Sequence, residues 1–166
     1  MTRPLTLLPI VLVFCLLAVA DAQVIPIPNR NMANMGPNGP LSLTIQPASI
    51  SMQLVPGVPG DSLRASDATS FLTWYDRRGG PMLDKVTVGT VCPNQQYVLR
   101  VTAFNAINGT PLTTRTLQDG LPDKDLILNI VHRVDGSAGL RYDASASAAD
   151  GFGMDVHTVT YTLTSQ

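Results

Sequence analysis

The stretch Met154–Thr164, MDVHTVTYTLT, decides how the chain reads. Val159, Tyr161 and Leu163 fall on one face, and Thr158, Thr160, Thr162 and Thr164 on the other. A period of two marks a half-buried strand. Thr, Val and Tyr also suit a pleated surface. His157 shares the phase of the apolar face.

Working outward, the same alternation recurs in short pieces. Leu41, Leu43 and Ile45 alternate, Pro47 breaks the run, and Ile50, Met52 and Leu54 resume it. Asp61–Ser70 is polar and reads as room for one helical turn. FLTWY at 71–75, Met82–Val88, YVLRVTAF at 97–104 and LILNIVHR at 126–133 read as strands. Pro111–Leu117 reads as a polar edge strand, and Leu140–Ser147 alternates again. Turn clusters separate them: Asp76–Pro81, Pro93–Gln96, Asn108–Gly109 as a hairpin pair, Asp119–Asp125, Asp135–Gly139 and Asp150–Gly153. About eight short strands between turns predict a single all-β domain, an Ig-like or Greek-key β-sandwich, with a closed barrel as the alternative.

Composition agrees. All twelve acids are Asp, and the only lysines are Lys85 and Lys124. Glu and Lys favour helices, whereas Asp prefers turns and caps. Thirteen Gly and thirteen Pro add turn punctuation.

The first 22 residues read as a secretory signal peptide. Arg3 supplies the positive start, Leu5–Ala20 is apolar, and Ala20-Asp21-Ala22 fits a cleavage site, with the cut expected after Ala22. As a membrane span the run is short and Pro9 interrupts it. Residues 23–40, QVIPIPNRNMANMGPNGP, read as a flexible leader too polar and Pro-rich to bury a core. Residues 41–166 remain for the sandwich. The protein is therefore expected to be secreted, periplasmic or at the cell surface, with no membrane span after cleavage.

Removing Arg3 and Asp21 leaves ten cations against eleven Asp. That balance gives no reason to expect nucleic acid as a partner. Loss of Cys15 would leave Cys92 without a disulfide partner, most simply as a buried small hydrophobe.

Chemical motifs are sparse. His132 and His157 lie 25 positions apart on different strands, with no Cys or Glu at ligand spacing. Hydrogen-bonded histidines at a sheet rim are expected, with no metal, cofactor or catalytic residue implied. Asp119, Asp123 and Asp125 in DGLPDKD lack EF-hand spacing. Asn108-Gly109-Thr110 matches a glycosylation acceptor, but the turn already explains it. Nucleophile-elbow and phosphate-loop motifs are absent, and no enzyme is expected.

The closing VHTVTYTLTSQ, after a Gly-rich turn, resembles the ending of bacterial secreted and fimbrial β-sandwich proteins, the chaperone–usher pilins. Val159, Tyr161 and Leu163 match the alternating last strand with its late aromatic. The resemblance implies an incomplete sandwich completed by a neighbour's N-terminal strand. Many such pilins carry a disulfide, which Cys92 alone cannot form. The expected function is thus a non-enzymatic structural or interaction protein that assembles through sheet edges by strand addition, self-association included. Val159, Tyr161 and Leu163 would form the accepting core, and Leu41, Leu43 and Ile45 the inserted strand. The alternative is a carbohydrate- or ligand-binding module using Trp74, Tyr75, Arg77 and Arg78.

Overall fold

The computed structural model describes residues 18–24, 41–56, 62–147 and 154–166, with backbone alone at 18–24, 55 and 56. Most of the segment read as a signal peptide, the segment read as a leader from residue 25, and the expected turns at 57–60 and 150–153 lie outside them.

The chain is an all-β sandwich. Its strands are β1 (Ala18–Val24), β2 (Leu41–Gln46), β3 (Ser49–Pro56), β4 (Leu63–Asp76), β5 (Leu83–Val91) and β6 (Val98–Ile107). They continue with β7 (Thr110–Pro111), β8 (Arg115–Leu117), β9 (Lys124–Val131), β10 (Gly136–Ala146) and β11 (Val156–Ser165). One sheet runs β7-β9-β5-β11-β1-β3; the other runs β4-β10-β6-β8, with β2 beside β4. The end of β3 links them, because Val55 and Pro56 pair with Arg64 and Leu63 of β4. From β2 onward, successive strands lie in opposite sheets. Where β2 passes to β3 the Gln46–Pro47 peptide is cis.

β11 behaves as its alternation requires. His157, Val159, Tyr161 and Leu163 are buried, and the residues between them are partly or fully exposed. The strand pairs antiparallel with β5 from Thr158↔Val91 to Ser165↔Asp84. Its inner face meets Leu72, Trp74, Leu140 and Tyr142 of the other sheet in one hydrophobic core. Across that core the Tyr142 and Tyr161 hydroxyls lie 2.5 Å apart in a hydrogen bond. Burial pushes both phenols up, well clear of ionisation at neutral pH.

Four local expectations need correction. Residues 63–70 do not turn into helix; they are the first half of the 14-residue β4. Their polar side chains suit a half-exposed strand end, where Leu63–Asp67 pairs with Tyr142–Ala146 and Ser66 Oγ donates to Asp143 at 2.8 Å. The stretch 136–139 is strand, not turn. Its glycines lie opposite rings, Gly136↔Trp74 and Gly139↔Phe104. A Cβ there would fall 2.0 Å from Trp74 Nε1 and 2.4 Å from Phe104 Cζ, so only glycine leaves room for each ring.

Pro111–Leu117 is not one edge strand. Its ends, β7 and β8, belong to different sheets. Asn108–Gly109 is accordingly a crossing rather than a hairpin turn, although Asn108 does take φ 54°. The Asn108 amide imitates a strand: Nδ2 donates to Val131 O and Val134 O, and Oδ1 accepts from Val131 N. Both amide protons are spent there, so the folded glycosylation sequon offers no free amide.

Tyr161→Phe should lower stability by about 1–3 kcal/mol, because it strands the buried Tyr142 hydroxyl. Tyr142→Phe with Tyr161→Phe should cost less than the sum of the single changes. Urea unfolding of the three variants checks this.

Candidate functional site

The residues expected to insert and to accept share one core from opposite sheets. Ile45, Val159, Tyr161 and Leu163 belong to it and Leu43 packs against it, while Leu41 is 42% exposed. β2 pairs with β4 along its whole length, from Leu41↔Asp76 to Gln46↔Phe71. The neighbour of β11 on its other side is β1. β1 runs parallel to β11, Asp21↔Val156 to Val24↔Val159, and antiparallel to β3, Ala18↔Leu54 to Gln23↔Ser49. It is the one parallel neighbour among the described strands.

The four ligand-binding candidates part company. Trp74 is 2% exposed and donates its indole N–H to Asn108 O at 3.2 Å, so it offers no open ring face. Tyr75 and Arg77 stay at the surface, with the guanidinium 4.9 Å over the ring and its Nε bonded to the hydroxyl. Tyr75 borders a shallow groove of about 410 Å³ shared with Ser42, the edge of Trp74, Ile107, Asp135 and Ser137; Arg77 does not line it. Arg78 turns away from it.

Arg78 closes a buried ionic cluster at the start of β5. Its Nη2 lies 2.8 Å from Asp76 Oδ2 and 2.5 Å from Asp84 Oδ2, and both carboxylates are fully buried. His132, just beyond β9, brings Nε2 to 3.3 Å from Asp84 Oδ1 and 3.4 Å from Asp76 Oδ2. These contacts lack hydrogen-bond geometry, which leaves both ring nitrogens and Asp84 Oδ1 without a hydrogen bond. Burial alone would raise the Asp76 carboxyl. Hydrogen bonds from Arg78 and Asp84, with the guanidinium's charge, outweigh it and hold the group at about 2. Asp84 moves up instead, through burial and its contact with Asp76. The three groups are close enough to hold a cation, but the guanidinium already fills that role.

A second cluster sits beyond the other end of β5. Cys92, Asp155 and His157 are 1%, 3% and 2% exposed. Their ligand atoms lie within 4.8 Å of one another. His157 Nδ1 is 3.2 Å from Thr90 Oγ1, which turns Nε2 toward Asp155 Oδ2 at 3.8 Å. The Asp155 carboxylate accepts N–H bonds from Gln96 and Tyr97 at 2.7–3.1 Å. Burial, then the Asp155 and Asp119 charges, push the Cys92 thiol up to about 11. Burial lowers His157. A nucleophilic cysteine needs a thiolate and access, and Cys92 has neither.

No Cys stands at ligand spacing from a histidine in the sequence, yet the fold brings Cys92 beside His157. Spacing rules see ligands on one contiguous stretch; here the β5–β11 register joins two distant ones. The Asp119–Asp125 loop does not converge: Asp119 Oδ1 accepts from Cys92 N at 3.0 Å, and Asp125 pairs with Lys85 at 2.8 Å.

No family model and no curated protein matches the chain. Among the described residues no helix is long and apolar enough to cross a membrane.

Arg78→Ala should destabilise the fold at pH 7 by about 3–5 kcal/mol, since it leaves two buried carboxylates uncompensated. The deficit should shrink on acidification toward about pH 4. In that window the folded variant holds a proton on a buried carboxylate, whereas the carboxylates of the unfolded chain are ionised. Urea midpoints at several pH values measure the slope.

Proposed function

We propose that this protein is a non-enzymatic secreted structural or interaction protein of the cell surface or periplasm, acting by β-strand addition at the slot between β3 and β11. The observation that carries the reading is β1. Its backbone fills that slot from both sides, yet Ala18–Ala22 belongs to the segment expected to leave with the signal peptide.

Without that segment, Ile50–Leu54 of β3 and Val156 and His157 of β11 lose their partners on the facing edges. Unpaired N–H and C=O groups along a strand edge are a template for another chain. Beneath the slot lie Ile50, Met52, Leu54 and Val159, an apolar floor for alternate side chains of an incoming strand. Main-chain bonds would supply affinity and these pockets the register. The terminal-strand resemblance to pilins points the same way.

The donor differs in emphasis from the sequence-based expectation. Leu41–Gln46 is already paired with β4, so giving it to a neighbour would break that pairing. A partner segment with β1's parallel sense fits without that cost.

The test compares chains starting at Ala18 and at Gln23 by size-exclusion chromatography and urea unfolding. The shorter chain should self-associate or lose stability, and a synthetic Ala18–Val24 peptide should restore the monomer. A Gln23 chain that is monomeric, as stable as the longer one and indifferent to the peptide would overturn the reading.

A further inference from the structure

We propose that Cys92, Asp155 and His157 form a zinc site that clips the end of β5 to the start of β11. Three observations on geometry carry it. The donors are one sulfur, one imidazole nitrogen and one carboxylate oxygen, a mixed set that suits Zn²⁺. All three residues are buried, and their ligand atoms lie within 4.8 Å of one another. Ligand atoms around tetrahedral zinc stand about 3.3–3.8 Å apart, so side-chain shifts of about an ångström would close the shell.

The surroundings are those of a held ligand set. Thr90 Oγ1 engages His157 Nδ1 and leaves Nε2 toward the centre. A partner on the far nitrogen is what fixes the ring of a metal-bound histidine. Backbone N–H groups of Gln96 and Tyr97 orient the Asp155 carboxylate. Asp119 accepts from Cys92 N at 3.0 Å, which ties a further carboxylate to the cysteine's backbone. On binding, the Cys92 S–H bond is exchanged for S–Zn and the proton leaves to solvent.

The other ligand cluster makes the contrast. At Asp76, Asp84 and His132 a permanent cation, Arg78, sits on both carboxylates. Among the described residues no Lys or Arg forms an ion pair with Asp155. A metal there would do for this chain what a disulfide cannot, because Cys92 has no thiol to pair with in the sandwich. It would join residues far apart in sequence across one end of the sheet. That end adjoins the proposed slot, since His157 pairs with Ala22 of β1.

The experiment uses the full chain carrying Cys15→Ser, so that Cys92 is the only thiol. After chelator treatment it is titrated with Co²⁺, then Zn²⁺, with absorption and thermal unfolding as readouts. One Co²⁺ per chain should bind with a thiolate-to-cobalt charge-transfer band, Zn²⁺ should abolish the band, and the unfolding midpoint should rise with metal. Cys92→Ser and His157→Gln should lose the band, Thr90→Val should weaken binding about tenfold, and His132→Gln should leave it unchanged. A folded Cys15→Ser chain that shows no thiolate–cobalt band overturns the site, whatever the variants do. So does a band that survives Cys92→Ser, or one that His132→Gln removes.

Discussion

Everything in this sandwich depends on covering two inner sheet faces with each other. Leu72, Trp74, Leu140 and Tyr142 from one sheet meet Val86, Val88, Val159 and Tyr161 from the other, all nearly or fully removed from water. Burial of such side chains is worth roughly 1.5–3 kcal/mol each before ordering costs are counted. The same layer penalises any polar group caught within it. Apart from the buried Ser70 hydroxyl, which has no hydrogen-bond partner, the chief polar groups inside have been gathered. Two tyrosine hydroxyls answer each other in the middle, and the ionisable groups collect at the sandwich ends.

β5 makes that segregation visible. Asp84 stands near its start and Cys92 just past its end, about 26 Å apart along an extended strand. At the first end charge is balanced internally, with a guanidinium between two carboxylates. At the second the balance rests on backbone dipoles around Asp155 and on a thiol that keeps its proton. The two ends look alike as inventories of Asp and His and differ as chemistry, because only one of them contains its own cation.

What could be read in advance follows from this layering. The face of β11 was legible because its alternation runs unbroken and one side is apolar. Residues 63–70 were not, because a half-exposed strand with Ser, Asp and Thr on it carries little periodic signal. Gly136 and Gly139 looked like turn residues; what they supply is space under aromatic rings on neighbouring strands, a tertiary reason that no local window contains. Both buried clusters were invisible for the same cause. Their members come from separate strands, and only the pairing register brings them together. His132 and His157 could have been suspected from their inward phase, but their Asp and Cys companions could not.

The alternation of successive strands between sheets has a consequence in time. Apart from the short β3–β4 link, no strand from β2 onward pairs with its neighbour in sequence, and the last one lies between β5 and β1. Such a chain has little local structure to start from, and chains rich in distant contacts fold slowly. The sheet that holds β5, β11 and β1 cannot close until the last of the described strands has been made.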